Sequence, residues 1–62
     1  MLRLNLNKIY KEMNKRGWTK AELSRQTGIS KQMIQYIFEN DSLRQVHKIA
    51  KAFDVHVKDL LK

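Results

Sequence analysis

The sequence contains no cysteine and no proline, and only two of its 62 residues are glycine. Without cysteine, disulfide scaffolds and thiolate zinc sites are excluded. The lack of proline and the scarcity of glycine argue against a turn-rich β domain and favour helices. No apolar run approaches the roughly 20 residues that a membrane-spanning helix needs, and no signal peptide is visible. The sequence therefore predicts a soluble, cytoplasmic protein with no membrane partner.

Acidic residues are also scarce, since six Asp and Glu stand against 13 Lys and Arg, for a formal net charge of +7. A small folded domain this basic usually binds a polyanion, most often a nucleic acid. The alternative is a lysine-rich surface that is simply well solvated. The length predicts a single domain over residues 1–62, because a chain this short cannot bury two cores.

Hydrophobic spacing predicts an all-α fold, a compact bundle of five short helices. The first helix follows Asn5 as N-cap and ends at Gly17, with Lys8, Lys11, Glu12 and Lys15 on its solvent side. Before it, Leu2, Leu4 and Leu6 alternate with polar residues, a pattern typical of a short strand or of an irregular lead-in.

The later helices are marked by capping signals. A capping box from Thr19 to Glu22 begins the second helix, and Ser30 caps a third from Lys31 to about Glu39. A second capping box, Ser42 to Gln45, predicts the start of the fourth helix, and residues 56–61 form a short fifth one.

The stretch Thr27-Gly28-Ile29-Ser30 joins two short helices. Glycine permits a sharp turn, and an apolar residue directly after it can lock the two helices at a steep angle. The second helix of such a unit projects its polar face into a major groove about 12 Å wide. The sequence therefore predicts a helix-turn-helix, with Leu23, Ile29, Ile34 and Ile37 in its core.

The residues from Gly17 to Ser30, then Ile34 to Asn40 and the tail from Ile49 to Leu61, resemble the Cro and phage-repressor (XRE-type) helix-turn-helix family. The resemblance implies a lambda-repressor-like domain that binds double-stranded operator DNA, usually as a dimer. Family members often carry glutamine at Lys20, alanine at Ser24 and a longer loop after the third helix. Many also place arginine at Met13 and glutamate at Phe38, so the apolar pair here predicts packing in place of an ion pair.

The outer face of the third helix carries the candidate base contacts. Glutamine can pair with adenine N6 and N7, and lysine can donate to guanine O6 and N7. Tyr36 has three readings, namely contact with a thymine methyl group, a phosphate bond or packing at the rim. The predicted base-contacting residues are Lys31, Gln32, Met33, Gln35 and Tyr36.

Phosphate contacts are expected from the start of the second helix and from the residues around the third. The predicted phosphate-contacting residues are Thr19, Lys20, Arg25, Ser30, Asn40 and Arg44. Trp18 is interpreted as a core residue.

No enzyme, metal site or cofactor is expected. His47 and His56 have no cysteine partner and no metal-binding spacing, no glycine-rich phosphate loop is present, and no catalytic triad fits so small a core. Two other classes stay open, namely a membrane-active basic peptide, which the capping signals argue against, and an antitoxin or antirepressor-like module that binds an unknown protein through the same fold.

The C-terminal segment is unusually apolar, and Leu2 and Leu4 add to the apolar surface. A chain of this size is not expected to cover all of these side chains by itself. The sequence therefore predicts a weak homodimer with an interface built from Val55, Val57, Leu60 and Leu61.

Overall fold

The structure, a computed structural model, describes residues 3–62, which form four α-helices and one 3-10 helix. The elements are α1 (Leu6–Arg16), α2 (Lys20–Thr27), α3 (Lys31–Asn40), α4 (Val46–Phe53) and the 3-10 helix (Val57–Leu60). The predicted all-α fold is confirmed, although the fifth element is a 3-10 turn. Leu2 lies outside the described residues. Within residues 3–62, no helix is long and apolar enough to cross a membrane.

Three of the predicted N-caps form as expected. The side-chain oxygens of Asn5, Thr19 and Ser30 each accept a hydrogen bond from the backbone N–H three residues later, at 3.2 Å. These bonds satisfy N–H groups that have no partner inside the first turn of a helix. At the other ends of α1 and α2, Gly17 and Gly28 adopt the left-handed conformation, with φ of 68° and 75°.

The predicted start of the fourth helix at Ser42 is wrong, because α4 begins at Val46. The Ser42 hydroxyl accepts a hydrogen bond from the Arg44 N–H at 3.1 Å, only two residues on. Gln45 then takes a left-handed conformation with φ of 55°. A serine hydroxyl that accepts from the N–H two residues later stabilises a turn and not the first turn of a helix. The connection between α3 and α4 is therefore longer than the sequence indicated.

The core is one cluster that draws on every helix. Its members are Leu4, Ile9, Met13, Leu23, Ile29, Ile34, Ile37, Phe38, Ile49, Ala50, Phe53 and Leu60. Met13 and Phe38 are both buried in this cluster, as their apolar character predicted. Trp18 packs against it and stacks on the Phe53 ring with centroids 5.6 Å apart, which confirms that Trp18 is a packing residue.

The two ends of the described chain pair with each other. Leu4 and Leu61 form an isolated antiparallel bridge, the Asn5 N–H donates to the Leu60 carbonyl at 2.8 Å, and the Lys62 N–H donates to the Arg3 carbonyl at 2.8 Å. Leu60 is thereby 0% exposed. The N-terminal segment and the 3-10 helix thus bury Leu4 and Leu60, whereas Val57 stays exposed, as expected for a chain too short to cover all of its apolar terminal side chains.

Glu12 is the main surprise in α1. The sequence placed it on the solvent side, yet it is only 4% exposed. Arg16 donates to Glu12 Oε1 at 2.7 Å and to the Phe53 carbonyl at 2.6 Å. Its guanidinium also lies 5.6 Å from the centre of the Trp18 ring and 5.0 Å from that of Phe53. Arg16 therefore ties α1 to the end of α4, and Glu12 is buried because it is the counter-charge of that contact.

The ionised form of Glu12 is stabilised by its neighbours. The hydrogen bond from Arg16 holds the pKa of Glu12 below its ordinary value of 4.5, and Lys8 and Lys15 act in the same direction, against the opposing effect of burial. The Lys8 and Lys15 ammonium groups lie 3.3 Å and 3.8 Å from Glu12 Oε2.

Glu12→Gln is expected to destabilise the fold by roughly 1.5–3 kcal/mol at neutral pH, the contribution of a hydrogen bond to a charged group. Because the pKa is lowered in the folded state, this contribution is fully present above 4.5 and is lost as the pH falls through the lower, folded-state value. Urea unfolding from pH 7 to pH 3 measures it, and the wild-type and Glu12→Gln stabilities should converge in acid. A constant difference at every pH would contradict the role of Glu12, and Glu39→Gln, an exposed site, serves as the control.

Candidate nucleic-acid interface

The turn between α2 and α3 is fixed by hydrogen bonds at both of its edges. The Gly28 N–H donates to the Ser24 carbonyl at 2.9 Å, and the Ile29 N–H donates to Thr27 Oγ1 at 3.2 Å. The Ser24 hydroxyl donates to the Ile29 carbonyl across the turn. Since Ile29 is itself buried in the core, the direction in which α3 leaves the turn is set by packing as well as by hydrogen bonds.

The two faces of α3 differ sharply. Ile34, Ile37 and Phe38 are buried, which fixes the rotation of the helix about its own axis. Four of the five predicted base-contacting residues, Lys31, Gln32, Gln35 and Tyr36, are exposed on the opposite side, and the fifth, Met33, is half-buried against the core. The structure therefore brings all five to the outer half of one helix.

The two glutamines of this face are not equivalent. Gln35 Nε2 donates to Glu39 Oε2 at 3.3 Å, so part of its hydrogen-bonding capacity is used within the helix. Among the side-chain hydrogen bonds of residues 3–62, none involves Gln32. Gln32 thus presents both an amide donor and a carbonyl acceptor to an incoming base.

Arg44 reaches the α3 face from the following turn. Its guanidinium carbon lies 5.8 Å from the centre of the Tyr36 ring, a distance typical of a cation–π contact. Around this pair, a recess of about 270 Å³ is lined by Ser30, Gln32, Met33, Tyr36 and Arg44. Sequence reasoning named Arg44 but missed its pairing with Tyr36, because that depends on the left-handed residues of the α3–α4 turn.

The two basic candidate phosphate contacts on α2, Lys20 and Arg25, differ in their partners within the protein. Lys20 places its ammonium group 5.1 Å from the centre of the Phe38 ring, so it braces α2 against α3 while its charge stays exposed. Arg25 bonds Glu22 Oε1 at 2.5 Å. The pKa of Glu22 is lowered mainly by the hydrogen bond from Gln26, and next by the hydrogen bond from Arg25. Arg25 must exchange this partner for a phosphate, whereas Lys20 has no acid beside it among the ion pairs of residues 3–62.

The remaining phosphate candidates, Thr19, Ser30 and Asn40, lie at helix ends. The Thr19 and Ser30 hydroxyls cap α2 and α3, which leaves each hydroxyl proton free to donate. Glu22 does not complete the reciprocal bond of the predicted capping box, since its carboxylate is held by Arg25 and Gln26. Asn40 Nδ2 donates to the Tyr36 carbonyl at 3.0 Å, so Asn40 closes the end of α3.

The predicted dimer residues are distributed unevenly between core and surface. Leu60 belongs to the core and has no surface to offer, whereas Val55 and Leu61 are half-buried and Val57 is exposed. No group of three His, Asp or Glu residues within 3–62 is placed to hold a metal ion.

Comparison with known families agrees with this geometry. The family model of the Cro/C1-type HTH DNA-binding domain matches residues 8–62. The chain belongs to this Cro/C1-type family. No curated protein and no solved structure gives a match. As a Cro/C1-type domain, the chain binds DNA, and the paired helices α2 and α3 are its helix-turn-helix.

Ser24→Ala tests the turn of this Cro/C1-type domain. The change removes the hydroxyl that donates to the Ile29 carbonyl and is expected to lower the free energy of unfolding by about 1 kcal/mol. Alanine is the better helix former, so at an exposed helical site the same change would raise stability. Thermal or urea unfolding gives the sign, and a variant more stable than the wild type, as helix propensity alone predicts, would show that the turn does not depend on this bond.

Proposed function

We propose that the chain is a sequence-specific regulator of transcription that binds double-stranded operator DNA and acts as a repressor. The observation that carries this proposal is the outer face of α3, where Lys31, Gln32 and Tyr36 are exposed beside a hydrogen-bonded turn. A bound domain blocks other proteins from the same DNA, so binding alone suffices for repression. Activation would need an additional favourable contact with another protein.

In this proposal the residues divide between reading bases and positioning the protein. Gln32, with its amide free, pairs with adenine, and Lys31 at the start of α3 donates to guanine. Lys20, Thr19 and Ser30 hold the phosphates, supported by the positive N-terminal ends of α2 and α3. The formal net charge of +7 supplies the long-range attraction.

A weak twofold dimer is part of the proposal, with half-sites about one DNA turn, roughly 10 bp, apart. The exposed Val57, with the half-buried Val55 and Leu61 beside it, supports an interface at the C-terminal segment. Leu60 contributes indirectly, since its burial in the core holds the segment in place.

Lys20→Ala separates phosphate contacts from base reading. It is expected to weaken binding to operator and scrambled DNA alike and to lower the slope of log affinity against log salt by about 0.9, one phosphate contact. Gln32→Ala should leave that slope unchanged, cost about 1–3 kcal/mol on the operator and relax the preference at one base pair per half-site. Gln35→Ala should act similarly but less, since Gln35 is held by Glu39.

The measurement is affinity against salt concentration for each variant, on an operator selected from random DNA and on a scrambled duplex. If Gln32→Ala weakened both duplexes equally, α3 would not be the reading helix. If the wild type showed no preference for any selected sequence and instead bound another protein, the antitoxin-like alternative would take the place of the repressor.

Val57→Ser tests the dimer. Val57 is 36% exposed, so the change should leave the stability of the fold and the affinity for a single half-site unchanged. It should abolish cooperative binding to two half-sites. Sedimentation and binding to palindromic DNA are the readouts, and His56→Ser, the exposed polar neighbour, is the matched control. A wild type that stays monomeric at high concentration and on a palindromic site would refute the dimer.

A further inference from the structure

We propose that the recess beside Tyr36 binds the 5-methyl group of a pyrimidine in the major groove, with thymine as the favoured base. This inference rests on the proposed function, because it assumes that the outer face of α3 meets DNA. The inference assigns the recognition of one base, through its methyl group, to Met33, Tyr36 and Arg44 acting together. The base contacts proposed above for Gln32 and Lys31 are hydrogen bonds and do not involve a methyl group.

Two of the five residues that line the recess, Met33 and Tyr36, give it an apolar surface. Met33 is half-buried and packs against the core, and this packing fixes its side chain relative to α3. Tyr36 lies one turn further along α3 and is 45% exposed, which leaves its ring available on the same side. Against Met33 and Tyr36 themselves, a base edge made only of donors and acceptors would lose its water without replacement bonds. The 5-methyl group is the one apolar group that a base pair presents in the major groove.

Arg44 gives the recess a preference among methylated pyrimidines. Its guanidinium lies 5.8 Å from the centre of the Tyr36 ring, at the rim of the recess that both residues line. Guanidinium groups only donate hydrogen bonds. Thymine carries the O4 acceptor beside its methyl group, whereas 5-methylcytosine carries an amino donor there. Arg44 therefore favours thymine and disfavours 5-methylcytosine, although both methyl groups fit the same apolar surface.

The test replaces thymine by deoxyuridine at each position of a selected operator, which removes the methyl group and keeps every hydrogen-bonding group. One thymine per half-site should lose about fourfold in affinity, the effect of one methyl group removed from an apolar contact. At that position, 5-methylcytosine should bind more tightly than cytosine by a similar factor, and thymine more tightly than both.

Variants assign the methyl effect to the recess. Tyr36→Ala should abolish the difference in affinity between the thymine and deoxyuridine operators. Arg44→Gln should keep that difference, but it should reduce the affinity advantage of thymine over 5-methylcytosine. Tyr10→Ala is the matched control, since Tyr10 is also an exposed tyrosine, at 42%, but lies on α1 against Phe38. It should retain the full methyl effect.

Two results overturn the inference while the proposed function stands. One is a selected operator that is preferred over scrambled DNA yet shows no loss with deoxyuridine at any thymine. The other is a methyl effect that persists undiminished in Tyr36→Ala. A wild type with no preference for any operator over scrambled DNA would instead remove the proposed function, and this inference with it.

Discussion

The direction of α3 relative to α2 depends on the turn at Gly28 and Ile29. A left-handed glycine reverses the chain, the buried isoleucine anchors the turn in the core, and the Ser24 hydroxyl bonds across it. Ile29 is buried and Gly28 has no side chain with which to contact a base. They matter for binding because a helix that reads bases must be held within a few tenths of an ångström of its working position.

A chain of 62 residues has little core with which to hold such a helix. Two long-range contacts compensate for its size. Arg16 joins α1 to the end of α4 through the Phe53 carbonyl, and the backbone pairing of Leu4 with Leu61 closes the ends of the described chain onto the core. On the polar face of α3, Gln35 bonds Glu39, whereas no side-chain hydrogen bond of residues 3–62 involves Lys31 or Gln32.

The local features of this fold could be predicted from the sequence, because helix caps depend on residues two to four positions apart. Asn5, Thr19 and Ser30 cap their helices as predicted, and the two glycines end α1 and α2. The division of α3 into a buried and an exposed face followed from its apolar spacing in the same way.

Features that depend on distant partners could not be predicted. Glu12 is buried because Arg16 turns toward Phe53, 37 residues further along the chain. Leu60 is buried in one cluster with Leu4 of the N-terminal segment, and Arg44 meets Tyr36 from the turn that precedes α4. In each case the sequence shows the residue but not the partner that decides its environment.

The central claim is that the outer face of α3, together with Arg44, is the surface that distinguishes one DNA sequence from another. The most direct measurement compares backbone amide chemical shifts of the domain bound to its selected operator with those of the domain bound to a scrambled duplex. The account predicts that the differences between the two complexes concentrate at residues 30–36 and at Arg44, while α2 shifts equally in both. Differences that instead concentrate on α1 or on the C-terminal segment, with α3 unchanged, would contradict it.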